Sequence, residues 1–137
     1  MLTIHTADEG GAVAVDGARV VGVGTLVDLE QRFPGARLRR WPGVLGPALV
    51  HEGPLPDAPS PRERIHAVLK SGATAVLAEH VVSPELRAAA QRNDVEILAA
   101  ARPTALAALG RADLAVFDET GECIATVCAG RLVHRRR

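Results

Sequence analysis

The chain has 137 residues, 47% hydrophobic and 23% charged. That suffices for one core, or for two small lobes sharing one, but not for a complete eight-stranded α/β barrel of about 250 residues. Sixteen basic and sixteen acidic residues cancel, so no basic field exists to hold nucleic acid, and the expectation is no nucleic-acid partner.

The first third reads as short strands and turns. "LTIHT" (2–6) alternates and is β-branched, and "GAVAVDGARVVGVG" (11–24) reads as a hairpin turning at Asp16-Gly17. In "TLVDLEQRFPG" the period becomes helical. Thr25 caps, Asp28 completes an approximate capping box, and Pro34-Gly35 stops the helix. "ARLRRW" (36–41) alternates again, with Trp41 as an anchor. "PGVLGPALV" (42–50) suits bent extended backbone, and the proline-rich "HEGPLPDAPSP" (51–61) is a connector.

The middle third has an α/β rhythm. "SPRERIHAVLKSG" (60–72) and "SPELRAAAQRND" (83–94) are helices with the same Ser-Pro start. "ATAVLAEHVV" (73–82) and "VEILAAA" (95–101) are buried strands, and strands alternating with helices imply parallel pairing. "PTALAALG" (103–110) predicts a short helix. "ADLAVFD" (112–118) is a strand, and "CIATVCAG" with "RLVHRR" (123–136) a hairpin around Ala129-Gly130. Arg135, Arg136 and Arg137 form a solvated tail.

Isolated hairpins bury too little to stand alone. The expected fold class is therefore α+β. A composite β-sandwich built from residues 1–55 and 103–137 holds an inserted α/β lobe at 56–102. Cys123 and Cys128 lie five apart in a strand, which puts them on opposite faces, so no bridge is expected. Their spacing is not a zinc motif either, and they read as core thiols in a reducing compartment. No secretory leader and no run of about 18 apolar residues is visible, which sets the expectation of a cytoplasmic protein without a membrane partner.

Four stretches, in this order, resemble the amidohydrolase superfamily, particularly its imidazolonepropionase and aminodeoxyfutalosine deaminase branch. They are "VAVDGARVVGVG", "PGVLGPALV", "SGATAVL" and "GRADLAVFDETGECIATVCAGRLVHRR". The resemblance implies a composite domain made from both chain ends, with most of the metal-binding barrel between them missing. It also implies a His-x-His metal pair soon after the segment like "GPALV". Here Gly53 and Leu55 occupy those places, and His51 stands two residues early. No catalytic, cofactor or metal residue is carried over, and the expected cofactor is none.

Two polar pairs remain, His51-Glu52 in the connector and Glu79-His80 at the end of a strand. Together they form a candidate cluster whose imidazole and carboxylate groups suit zinc or a proton transfer. The alternative for all four is a role as caps and loop residues. His5 and His134 are expected at the sandwich surface or edge, and His66 at a helix rim.

The expected function is that of an amidohydrolase-like binding or assembly module without catalysis. It would work by self-association as a homodimer or with a protein partner. Two alternatives stay open. One is a metal-dependent hydrolase of a cyclic amide or amidine, acting on carbon–nitrogen bonds other than peptide bonds. The other is a small-molecule-binding domain.

Overall fold

A computed structural model describes residues 1–136; Arg137, the last residue of the expected tail, lies outside the described residues. The N-terminal strands are β1 (Leu2–Glu9), β2 (Ala12–Asp16) and β3 (Arg19–Gly24). Helix α1 (Leu26–Arg32) follows, capped by Thr25, whose hydroxyl accepts from the Asp28 amide. Strands β4 (Arg37–Pro47) and β5 (Leu49–His51) lead into α2 (Pro61–Lys70) and β6 (Ala73–Leu77). Then come α3 (Pro84–Arg92), β7 (Glu96–Leu98), β8 (Leu114–Phe117), β9 (Cys123–Cys128) and β10 (Arg131–Arg135). Ser60 and Ser83 cap α2 and α3, each followed by proline at the first helical turn.

Both chain ends enter one seven-stranded sheet, ordered β10-β9-β8-β4-β1-β2-β3. Its centre is the eleven-residue β4. The first part of β4 pairs parallel with β1, and Val44 to Pro47 pair antiparallel with β8. A single long strand thus joins the two terminal sets of strands. The sheet also curls on itself. Residues 109–112 run along β3, with reciprocal bonds between Val20 and Gly110/Leu109 and a bond from the Ala112 amide to Ala18. The curl brings β2 and β3 against β8 and β9 around Val13, Val15, Val20, Leu114, Val116 and Val127. The expected union of both ends is present as this one curled sheet, its two halves facing each other.

Alternation on β2 divides its neighbours. Val13 and Val15 face the curl, while Ala12 and Ala14 face α1 through Leu29. The second unit is a parallel sheet, β5-β6-β7, backed by α2 and α3. It is seated on the large sheet by α2, where Thr126 of β9 donates its hydroxyl to the Leu69 carbonyl at 2.7 Å. Strand β9 is therefore buried along its whole length, with the curl on one face and α2 on the other.

Several expectations are corrected. Residues 103–110 form no helix. An eight-residue helix is marginal by itself, and pairing with β3 satisfies the backbone of Leu109 and Gly110 instead. The strand expected to reach residue 82 stops at Leu77, and a 3-10 turn, Ala78–His80, follows. The strand expected over 95–101 is confined to Glu96–Leu98. His5 is buried, not peripheral, because β1 is an interior strand between β2 and β4. Of the expected solvated tail, Arg135 and Arg136 are engaged. Arg135 stacks over Trp41 at 5.5 Å, and Arg136 pairs with Asp118 at 2.6 Å and Glu122 at 3.1 Å.

Candidate functional site

The small parallel sheet has two ends with different chemistry. At its C-terminal end stand the four residues singled out from the sequence. The β5/β6 register sets His51 beside Val76, one residue before β6 ends, so both polar pairs lie at this end. They do not join into a site. His51 Nε2 lies 2.9 Å from the Pro54 carbonyl oxygen in its own loop. His80 Nε2 lies 3.9 Å from Glu79, its own neighbour, and the Glu79 carboxylate is mostly exposed. No hydrogen bond or ion pair connects the first pair to the second among the described residues.

The family resemblance implies a metal, and the donor set can be tested for it. A zinc site takes three or four side-chain ligands converging on one point. Among the described residues no group of three or more His, Cys, Asp or Glu side chains does so. His51 has its ring nitrogen committed to a carbonyl three residues on, which is loop-closing geometry. The residues present do not fit the metal.

The N-terminal half of the same sheet borders a cavity of about 220 Å³. Its walls are the β4–β5 junction with Leu49 and Val50, Thr74 and Ala75 of β6, Glu96 of β7, and the irregular segment from Arg102 to Asp113. That segment forms one wall of the cavity as it runs from β7 back to the large sheet without forming a helix. The cavity thus sits where the two sheets meet.

Arg111 organises one wall. Its Nε donates to Asp113 at 3.0 Å, and its Nη2 reaches the Asp94 carbonyl and, at 3.1 Å, the Cys128 sulfur. Asp113 in turn accepts from the Ala129 amide at 2.9 Å. Burial opposes the Arg111 charge, but Asp113 beside it outweighs this and holds the guanidinium above its ordinary pKa. Burial also pushes the Cys128 thiol up to about 11, so it stays protonated and is no nucleophile. Arg111, Asp113 and Cys128 form a clamp between the α3–β7 loop and the β9–β10 turn, which leaves Arg111 little freedom for a ligand.

Glu96 and Arg102 are placed differently. Arg102 Nη2 donates to Glu96 Oε1 at 3.0 Å, and Arg111 Nε lies 3.9 Å from the same oxygen. Glu96 Oε2 has no partner among the described residues. Thr74, only 3% exposed, lines the cavity beside them. Sequence reasoning missed Thr74, Glu96 and Arg102. The available signal was a charged residue inside "VEIL", since a carboxylate is out of place in an apolar parallel strand unless something pairs with it.

The architecture defines the class: an α+β domain in which strands from both chain ends share one sheet and a small parallel α/β unit is set between them. Residues 11–36 match the model of the imidazolonepropionase-like composite domain of bacteria. No curated protein sequence matches the chain. Among solved structures, guanine deaminase from Bradyrhizobium japonicum is similar at 14% identity, over 64% of this chain and 27% of that one, with a TM-score of 0.49. Ochratoxinase from A. niger follows at 18% identity, 56% and 25% coverage and a TM-score of 0.42. Aminofutalosine deaminase from Helicobacter pylori gives 18%, 60% and 29%, with a TM-score of 0.40. The chain spans between a quarter and three tenths of the length of these proteins. No described helix is long and apolar enough to cross a membrane.

Proposed function

We propose that this chain is an amidohydrolase-like composite domain that binds a small molecule at the junction of its two sheets and does not hydrolyse it. One observation carries the reading. A cavity at the N-terminal half of the small sheet is walled by Thr74, Glu96 and Arg102, the last two joined through one nitrogen and one oxygen, while His51, Glu52, Glu79 and His80 stand at the other end without converging. Two buried free thiols, Cys123 and Cys128, fit a reducing cytoplasm.

Metal content, native mass and a search for released small molecules, all on the purified protein, test the proposal. The expected result is metal well below one ion per chain and a small molecule set free on denaturation. One zinc per chain, lost in His51→Ala or His80→Ala, would instead support the metal-dependent hydrolase.

A second reading, assembly, is favoured by the small sheet itself. It has three strands, and β5 and β7 are its open edges, with Leu49 of β5 44% exposed. Open edges of a parallel sheet are ordinarily covered, and a symmetric pair is the commonest way to cover them. A homodimeric native mass supports this reading and a monomer at all concentrations removes it.

A further inference from the structure

Resting on the binding reading, we propose that the cavity takes a compact aliphatic zwitterion of the amino-acid class. Its carboxylate would sit on Arg102, its ammonium on Glu96 Oε2, and its side chain against Leu49, Val50 and Pro103. The size of the space comes first. Pockets for drug-sized ligands run about 300–1,000 Å³, and this one is about 220 Å³. It is the size of an amino acid and smaller than a nucleotide.

Charge decides the class. The cavity wall carries two guanidinium groups, Arg102 and Arg111, and two carboxylates, Glu96 and Asp113. A simple anion placed among them meets two like charges, and so does a simple cation. Arg111 and Asp113 already satisfy each other within the clamp. The pair with capacity left is Arg102 and Glu96. They are joined through one nitrogen and one oxygen, so the remaining N–H groups of Arg102 and Oε2 of Glu96 stay open. A donor and an acceptor of opposite charge, side by side, match an α-ammonium and an α-carboxylate on one carbon. Arg suits the carboxylate end because its planar fork presents parallel donors. Thr74, another residue of the wall, carries a hydroxyl able to donate or accept. Leu49, Val50 and Pro103 give the wall an aliphatic stretch, interrupted by Thr104, against which an apolar side chain can pack.

This site is at the N-terminal half of the strands, opposite the end that holds His51 and His80. It is therefore separate from the expected polar cluster.

Isothermal titration calorimetry on the whole chain tests the assignment with four probes that share the isobutyl group: leucine, 3-methylbutylamine, 4-methylpentanoate and 4-methylpentanamide. Leucine is expected to bind about tenfold or more tighter than any of the other three, since each lacks one or both charges. Glu96→Gln and Arg102→Gln are each expected to weaken leucine about tenfold, with Arg102→Lys recovering part of the loss. Urea unfolding of each variant verifies that it is folded. Equal binding of the amide and leucine overturns the zwitterion while leaving a small-molecule site in place. Folded Glu96→Gln and Arg102→Gln that bind leucine as tightly as the parent overturn the placement. Silence from all four probes, with no molecule released from the purified protein, overturns both this assignment and the binding function.

Discussion

Trp41 donates its indole N–H to Nδ1 of His5 at 3.3 Å, and the two rings lie nearly parallel, 6° apart with centroids 6.5 Å from each other. The neutral imidazole therefore carries its proton on Nε2. Burial, and then the charge of Arg39, push His5 down to about 4. Protonating Nδ1 would also set a donor against the indole donor.

This relationship gives a pH dependence. A histidine lowered in the folded state binds fewer protons there than in the unfolded chain between about pH 4 and 6.5. Its contribution is complete above the unfolded value and is lost as pH falls through that window. At 1.36 kcal/mol per unit, the loss is roughly 3 kcal/mol. Asp118 is held well below the usual carboxylate range by the Thr120 hydroxyl and then by Arg136, so its stabilisation is complete above its ordinary value of 3.8 and is lost only below it, outside this window. Urea unfolding between pH 7 and 4.5 is expected to show falling stability that H5Q largely removes. A flat profile in the parent protein contradicts the buried neutral histidine.

The two terminal hairpins touch at their turns. A Cβ on Gly130, in the β9–β10 turn, would lie 1.8 Å from the Gly17 carbonyl oxygen in the β2–β3 turn, and Gly130 has φ +81°. Gly121 has φ +84° but open space around it. G121A therefore costs the left-handed backbone alone, about 1 kcal/mol. G130A adds a backbone clash and is expected to cost at least about 2 kcal/mol more. Equal costs for the two variants would show that the turns are apart.

Thr126 joins the small unit to the large sheet. Its hydroxyl, fully buried, is given to the Leu69 carbonyl at the end of α2. T126V removes that bond, and the Leu69 carbonyl keeps the Gly72 amide. The expected loss is about 1 kcal/mol, with earlier hydrogen exchange in α2 than in β2. Exchange in α2 that stays unchanged would separate this bond from the seating of the helix.

Local rules made most elements legible. Thr25, Ser60 and Ser83 each announce a helix start that the side-chain bonds bear out, and the glycine turns fix both hairpins. The joining of the two chain ends was legible too, because neither hairpin can bury a face alone. Less legible was the route. Nothing local indicates that one strand, β4, pairs with β1 at one end and β8 at the other. Residues 103–110 misled for the same reason: Ala and Leu favour a helix locally, and the pairing with Val20 is a tertiary fact. The cavity shared that fate. Glu96 and Arg102 are near in sequence, but Thr74 and Asp113 reach them only through the fold.

The placement of the site at the N-terminal half of the small sheet is tested most directly by one set of amide NMR spectra, recorded as leucine and then zinc are added to the labelled protein. The account predicts that leucine shifts Thr74, Ala75, Glu96, Arg102 and their neighbours, and that stoichiometric zinc leaves His51 and His80 in place. Shifts gathered instead at His51, Glu52, Glu79 and His80, with either addition, would contradict it.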